Sequence, residues 1–185
     1  WLPGKLKAGD RIGYDPWLMT AAEVRRLEEV CKAAGAELVP VDANPVDRLW
    51  QDRPAPPMGQ VSLHPVEYAG ATAPDKIAAM RGALADAKAD ATVIGQADSI
   101  AWLFNVRGSD IAHNPVPLSF AIVRAEGPPE LFIDGRKLSN SVRPALADIA
   151  DVREPAALAA SLAALGAARA RVLIDSRSVA AAIAS

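Results

Sequence analysis

Two apolar segments near the start of the chain flank a stretch with helical periodicity. Residues 11–15 (RIGYD) and 37–41 (ELVPV) are typical of short strands, and apolar residues recur every three or four positions over 24–34. Thr20 and Glu23 form the capping-box pattern that starts a helix. The order strand, helix, strand predicts a parallel βαβ unit.

Beyond residue 60 the pattern alternates between helices and strands. Leu118–Arg124 and Glu130–Asp134 flank a Gly-Pro-Pro turn, which indicates an antiparallel hairpin. The pattern of the second part therefore predicts a mixed β-sheet with helices on both faces, so the expected fold class is α/β. The remaining expected elements are a helix over 73–89, a strand over 91–95, a helix capped by Asp98, a helix after Ser141, a strand at 151–153, a helix opened by Pro155, a strand over 171–175 and a helix from Ser178.

A cluster of helix- and strand-breaking residues separates the two parts. Four of these residues, three prolines and Gly59, lie within 54–59, and such clusters end periodic structure. We therefore expect a domain boundary near residue 60, with domains over 1–60 and 61–185. The first part has only two clear strands, which are too few for an independently stable sheet. We therefore interpret it as an incomplete βαβ piece of a domain.

Composition and charge narrow the function classes. Twenty basic and 22 acidic residues give a net charge of −2, without the basic excess that nucleic-acid binding requires. Neither a membrane span nor a signal peptide is evident, so a cytoplasmic location is expected. The single cysteine, Cys31, excludes an internal disulfide and any zinc site built on several cysteines.

Catalytic motifs are missing from the sequence. The two histidines, His64 and His113, lack the H-E-x-x-H spacing, and neither a phosphate-binding glycine loop nor a G-x-S-x-G elbow occurs. We therefore expect no catalytic residue, no metal ligand and no cofactor in this chain, which alone would be inactive.

The loop after the helix near residue 100 is rich in polar residues. Arg107, Asp110, His113 and Asn114 lie in it, and loops carry function more often than cores do. Two interpretations remain open. In one, the loop satisfies itself, with Arg107 and Asp110 paired and Asn114-Pro115 forming a turn. In the other, its polar side chains bind a ligand.

Four stretches in one order resemble a known family. Residues 101–123 read AWLFNVRGSDIAHNPVPLSFAIV and resemble a helix-and-loop segment of the long, three-domain Xaa-Pro aminopeptidases. RIGYDPWLM at 11–19, the segment 44–50 and the segment 68–81 match further motifs of those enzymes. The shared order is more specific than any one motif.

This resemblance implies a fold, an activity and an incomplete protein. Members of the family are hydrolases with two related creatinase-type N-terminal domains and a C-terminal domain that holds two divalent metals, usually manganese. They release the first residue from peptides whose second residue is proline. The chain would span the end of the first domain (1–60) and the second domain (61–185), without the catalytic domain. Its expected partners are that catalytic domain, a proline-containing peptide and, in an oligomer, a second copy of the protein.

Within that family, the polar loop would form the rim of the substrate channel. Arg107 would bind a peptide carboxylate with Asp110 as its orienting partner, and His113 or Asn114 would hydrogen-bond the peptide backbone. Two alternatives remain: a free-standing creatinase-fold module for binding or oligomerisation, and an unrelated α/β domain for a small ligand.

Overall fold

The computed structural model describes residues 1–184, which divide into two compact units. Unit 1 contains residues 1–55 and 175–184, and unit 2 contains Pro56–Ile174. Three short 3₁₀ turns lie at Leu2–Gly4, Gly135–Lys137 and Pro155–Ala157. The strands and helices are β1 (Arg11–Tyr14), α1 (Ala21–Ala33), β2 (Glu37–Pro40), α2 (Pro45–Leu49), β3 (Ser62–Leu63), α3 (Val66–Ala69), α4 (Ala73–Asp86), β4 (Ala91–Ile94), α5 (Ala97–Leu103), β5 (Val106–Arg107), β6 (Phe120–Arg124), β7 (Glu130–Phe132), α6 (Val142–Ala147), β8 (Asp151–Arg153), α7 (Leu158–Ala167), β9 (Val172–Leu173) and α8 (Ala181–Ala184).

The expected βαβ piece forms the centre of unit 1. Strands β1 and β2 pair in parallel and α1 connects them. The predicted capping box is confirmed, since the Glu23 amide donates to Thr20 Oγ1 at 3.3 Å and the Thr20 amide donates to Glu23 Oε2 at 2.8 Å. Val24 and Cys31 are buried on the inner face of α1. Periodicity and capping therefore locate this helix correctly.

Residues 175–184 pack in unit 1, whereas the sequence analysis grouped them with 61–185. Thr20 and Ala180 form an isolated antiparallel bridge, and Val179 is almost completely buried. Contacts of this kind join segments far apart in the chain and leave no periodic signal, so the sequence pattern does not reveal them. How these compact units relate to the two expected creatinase-like domains remains a prediction.

The main sheet of unit 2 is mixed, as expected. Its five strands run in the order β8-β7-β6-β4-β9, with antiparallel pairs at β4–β6 and β6–β7 and parallel pairs at β7–β8 and β4–β9. Neighbouring residues of β7 point to opposite faces. Leu131 joins the core that includes Ile100 of α5 and Leu146 of α6, while Glu130 accepts a hydrogen bond from Ser161 of α7. Helices therefore contact both faces.

One expected cap is wrong. Helix α5 begins after Gln96, and Asp98 lies in its first turn, where Oδ1 accepts a hydrogen bond from the Ser99 amide at 2.7 Å. A carboxylate in the first turn still stabilises the helix through the helix dipole. None of the helices within residues 1–184 is long and apolar enough to cross a membrane.

Candidate functional site at the 107–114 loop

The candidate loop leaves a short two-stranded ladder in unit 2. Strand β5 pairs antiparallel with β3, with Arg107 opposite Ser62. Asn105 enters this ladder at a φ of 52°, a left-handed conformation that asparagine tolerates better than most residues do. The chain then runs through the loop and returns into β6. Both ends of the loop are therefore fixed by sheet structure.

Asp110 holds the base of the loop together. Its side chain is 0% exposed and accepts hydrogen bonds from the Gly59 amide at 2.9 Å, the Leu118 amide at 2.7 Å and Lys137 Nζ at 2.6 Å. Lys137 is itself buried. A buried ion pair with further hydrogen bonds is costly to break, because removing one partner leaves the other charge unpaired. Asp110 is therefore a structural anchor.

Arg107 does not pair with Asp110, so the self-satisfied pairing and the orienting role of Asp110 are both wrong. The Arg107 Nη1 donates instead to the Val106 carbonyl at 2.8 Å and the Ala101 carbonyl at 3.5 Å. Lys137 takes the carboxylate because it comes from a neighbouring buried turn and reaches Asp110 directly. Within residues 1–184, Nε and Nη2 of Arg107 make no hydrogen bond, so they remain available to a ligand.

The tip of the loop is a tight, exposed turn. Ile111 and Asn114 form an isolated antiparallel bridge, and the Asn114 amide donates to the Ile111 carbonyl at 3.2 Å. The turn therefore lies just before the expected Asn114-Pro115 position. His113 occupies its centre with a φ of 61°, and the side chains of His113 and Asn114 face solvent. These two side chains therefore point away from the turn and do not hold it together.

Two glycines permit the close packing at the loop base. A Cβ at Gly59 would lie 2.5 Å from Ser109 Oγ and 2.8 Å from the Ser109 carbonyl carbon. A Cβ at Gly108 would lie 2.7 Å from the Pro117 backbone nitrogen. Both distances are far shorter than van der Waals contact, so a larger residue at either position would displace the loop. The result is a rigid base that presents an exposed tip.

A buried lysine beside the loop was missed by the sequence reasoning. Lys76 of α4 is 5% exposed, and its Nζ donates to Asn105 Oδ1 at 2.6 Å and to the Trp102 carbonyl at 2.9 Å. The ammonium also lies 4.5 Å from the centre of the Trp102 ring, a cation–π contact. Burial, and next the nearby charge of Arg107, lower the pKa of Lys76 below its ordinary value. Two signals could have marked it: its place in the 68–81 segment that resembles the family and its position next to Ile77 on the buried side of the helix.

A second buried network is centred on Glu130 of β7. Glu130 accepts hydrogen bonds from Arg124 at 2.7 Å, Arg153 at 2.9 Å and Ser161 at 2.5 Å. Burial opposes ionisation of Glu130, but the hydrogen bonds from Ser161 and Arg124 and the charges of the two arginines outweigh it and hold its pKa below the usual range. This network joins β6, β7, β8 and α7, so its role is structural.

The described residues offer no metal centre. Within 1–184, no three side chains of histidine, cysteine, aspartate or glutamate come close enough to hold an ion. A pair of divalent metals needs several such ligands, so this part of the protein does not fit one.

Comparisons with known proteins agree with the motif resemblance. Residues 52–185 match the family model described as the creatinase/prolidase N-terminal domain. A protein of Arthroderma gypseum named "Probable Xaa-Pro aminopeptidase P" is 44% identical over 144 residues, which cover 77% of this chain and 22% of that protein. A protein of the same name from Paracoccidioides brasiliensis is 42% identical over 149 residues, covering 80% and 24%.

A solved structure matches almost the whole chain. The X-prolyl aminopeptidase of Caenorhabditis elegans, described as a cytosolic enzyme with a di-nuclear active site, superposes with a TM-score of 0.89 at 31% identity. The match covers 99% of this chain and 31% of that one. The chain thus spans 22–24% of the length of the curated relatives it matches. The expected resemblance is confirmed, and the alternative of an unrelated α/β domain is wrong.

Proposed function

Because the chain belongs to the creatinase/prolidase N-terminal domain family, we propose that it is a non-catalytic region of a metallo-aminopeptidase that removes the first residue from peptides with proline in second position. The observation that carries this proposal is the likeness of nearly the whole chain to an X-prolyl aminopeptidase structure, at a TM-score of 0.89. The described residues hold no group of metal ligands, which supports chemistry in another part of the protein.

The catalytic domain is then the main partner of this region. The worm enzyme is cytosolic and has a di-nuclear active site, which supports two metals and a cytoplasmic location for the parent protein. Manganese is the proposed metal, proline-containing peptides are the proposed substrates, and homo-oligomers are a further proposed association. A free-standing module for binding or oligomerisation is the competing function, and Xaa-Pro cleavage by the full-length protein separates the two.

In the parent enzyme, the 107–114 loop forms part of the rim of the substrate channel. Support comes from its rigid base at Asp110 and from the exposed side chains of His113 and Asn114. Arg107 is held by backbone carbonyls, and its remaining guanidinium N–H groups suit bidentate binding of a peptide carboxylate. His113 and Asn114 would hydrogen-bond the peptide backbone.

The rim is tested in the full-length protein with short and long Xaa-Pro peptides. Arg107→Ala should raise KM about tenfold with a small change in kcat, because a charge-assisted hydrogen bond worth about 1.5 kcal/mol is removed from substrate binding. Arg177→Ala removes an arginine side chain that is 86% exposed and serves as the control. Normal kinetics for Arg107→Ala in a protein with a lowered Tm would show that Arg107 is structural and contradict the rim.

A further inference from the structure

One turn occurs twice in the chain, and residues 15–22 and 175–182 of the two copies lie in unit 1. Residues 11–22 read RIGYDPWLMTAA and residues 171–182 read RVLIDSRSVAAA, with Arg, Asp and two alanines at equivalent positions. Asp15 and Asp175 each follow a strand, and each accepts a hydrogen bond from the backbone amide two residues later, at 2.8 Å and 3.0 Å. Both copies then enter a helix. Sequence and hydrogen bonding thus define the same local structure twice.

The two copies contact each other through a pseudo-two-fold arrangement. The bridge of Thr20 and Ala180 joins equivalent positions of the two copies. The backbone hydrogen bonds that one copy donates have counterparts donated by the other. These reciprocal bonds are Ala21 N to Val179 O at 3.1 Å with Ala181 N to Met19 O at 2.8 Å, and Ala22 N to Ser176 O at 2.8 Å with Ala182 N to Pro16 O at 2.9 Å.

The copies differ in the side chains that the turn exposes. Trp17 is 50% exposed and Leu18 is 73% exposed, whereas the equivalent positions of the second copy hold Arg177 and Ser178. Because the same backbone forms with an arginine and a serine, the turn does not require apolar residues there. Large apolar side chains that cluster at the surface mark an interaction site.

Trp17 and Leu18 border a cavity of about 750 Å³. Val46 and Trp50 line it as well, and Trp50 is 47% exposed. The cavity lies where the loops leave the carboxyl ends of β1 and β2, the edge at which α/β proteins bind ligands. Its volume is within the range of small-ligand and peptide sites, about 300–1,000 Å³.

The charged residues of the cavity are partly engaged. Asp15 accepts a hydrogen bond from Asn44 Nδ2 at 2.8 Å, and Asp47 pairs with Arg53 at 2.7 Å. These contacts fix the two loops that carry the tryptophans. The side chains of Asp42 and Arg48 also line the cavity and make no hydrogen bond or ion pair within residues 1–184. One carboxylate and one guanidinium are therefore available to a ligand.

We propose that this cavity, lined by Trp17, Leu18, Val46 and Trp50, binds short proline-containing peptides with both termini free. Proline rings pack well on aromatic side chains and cost little entropy to order. Asp42 would bind the peptide amine and Arg48 the peptide carboxylate. The ligand class rests on the proposed function, since prolyl peptides are the proposed substrates, but binding here is separate from cleavage.

Binding is measured on the 185-residue chain by NMR of the four tryptophan indole N–H groups. The probes are Ala-Pro-Pro-Ala, the same peptide with both termini blocked, and tetra-alanine. We expect Ala-Pro-Pro-Ala to shift the signals of Trp17 and Trp50 and to leave Trp102 unchanged. Trp102 is a matched control because it is 52% exposed in unit 2. Blocked peptide and tetra-alanine should each bind about tenfold more weakly.

The repeat supplies the decisive variant. Trp17→Arg places the second copy's own residue in the first turn, so the fold should persist while the affinity for Ala-Pro-Pro-Ala falls about tenfold or more. Trp50→Ala should weaken peptide binding to a similar extent. It serves as the test of the site if Trp17→Arg does not fold. Asp42→Asn and Arg48→Gln should weaken the free peptide but not the blocked one.

Several results would overturn the proposal. Equal binding of tetra-alanine, equal shifts at Trp102, or full affinity in Trp17→Arg would each exclude a prolyl-peptide site. A concentration-dependent dimer that Trp17→Arg abolishes would assign the surface to a second copy instead. Binding without Xaa-Pro cleavage by the full-length protein would contradict only the proposed activity. Cleavage without peptide binding in this cavity would contradict only the proposed site.

Discussion

The two units of this chain complete their structure in different ways. Unit 2 encloses a five-stranded mixed sheet, with Leu131, Phe132 and Leu146 fully buried. Unit 1 has a two-stranded sheet and depends on residues 175–184, which return to it from the other end of the chain. The larger unit carries the rigid 107–114 loop, and the smaller unit carries the cavity bordered by Trp17 and Trp50. The core of unit 2 thus fixes a polar loop in place, whereas unit 1 packs against a segment distant in the chain.

The largest expected effect is the loss of unit 1 when residues 175–184 are removed. Ending the chain after Ile174 removes the reciprocal hydrogen bonds and the buried side chain of Val179. We expect unit 1 to lose its order altogether, because two strands alone are marginally stable in water. Hydrogen exchange of the α1 amides should become fast and cleavage near Arg53 should increase, while the β6 amides stay protected. Protection of α1 in the shortened chain would contradict the prediction.

The loop anchor of unit 2 tests the other half of the comparison. Asp110→Ala leaves Lys137 buried without its partner and should lower the free energy of unfolding of unit 2 by about 3–5 kcal/mol. The pair Asp134–Arg136 is the control, since Arg136→Ala removes a side chain that is 77% exposed and should cost much less than Asp110→Ala. Denaturant unfolding measures both. Equal small losses would show that Asp110 does not anchor the loop.

The smallest expected effect is that of acid on the stability of unit 2, through the Glu130 network. The pKa of Glu130 is lower in the folded state than its ordinary value of 4.5, so the unfolded state takes up the proton first as the pH falls. The ionised network therefore stabilises unit 2 above pH 4.5, and this contribution is lost as the pH falls through the folded pKa. Glu130→Gln should flatten that acid-side decline, and the exposed Glu126→Gln should not. An unchanged pH profile in Glu130→Gln would contradict the assignment.

Local features of the sequence predicted most of the fold. The capping box at Thr20, the hairpin of β6 and β7 and the apolar face of α4 each depend on residues close together in the chain, and all three are present. The expected Asp98 cap failed because aspartate favours both the cap and the first turn of a helix.

Contacts between distant residues were not predictable in the same way. Asp110 and Lys137 lie in separate loops, and nothing in either segment marks the other as its partner. Lys76 occupies the buried side of a helix where periodicity favours an apolar residue, and Asn105 and the Trp102 carbonyl compensate it only in three dimensions. The candidate loop was located from its polar density, but its internal pairing depended on these long-range contacts.

The burial of Lys76 and Lys137 also determines how the protein responds to amine-reactive chemistry. Of its six lysines, these two are each 5% exposed, while Lys5, Lys7, Lys32 and Lys88 are exposed. Three of the four accessible side-chain amines thus belong to unit 1. Coupling the chain through lysine would attach it to a surface mainly by the unit that holds the aromatic cavity, so a fluorophore or solid support is better placed through a group in unit 2.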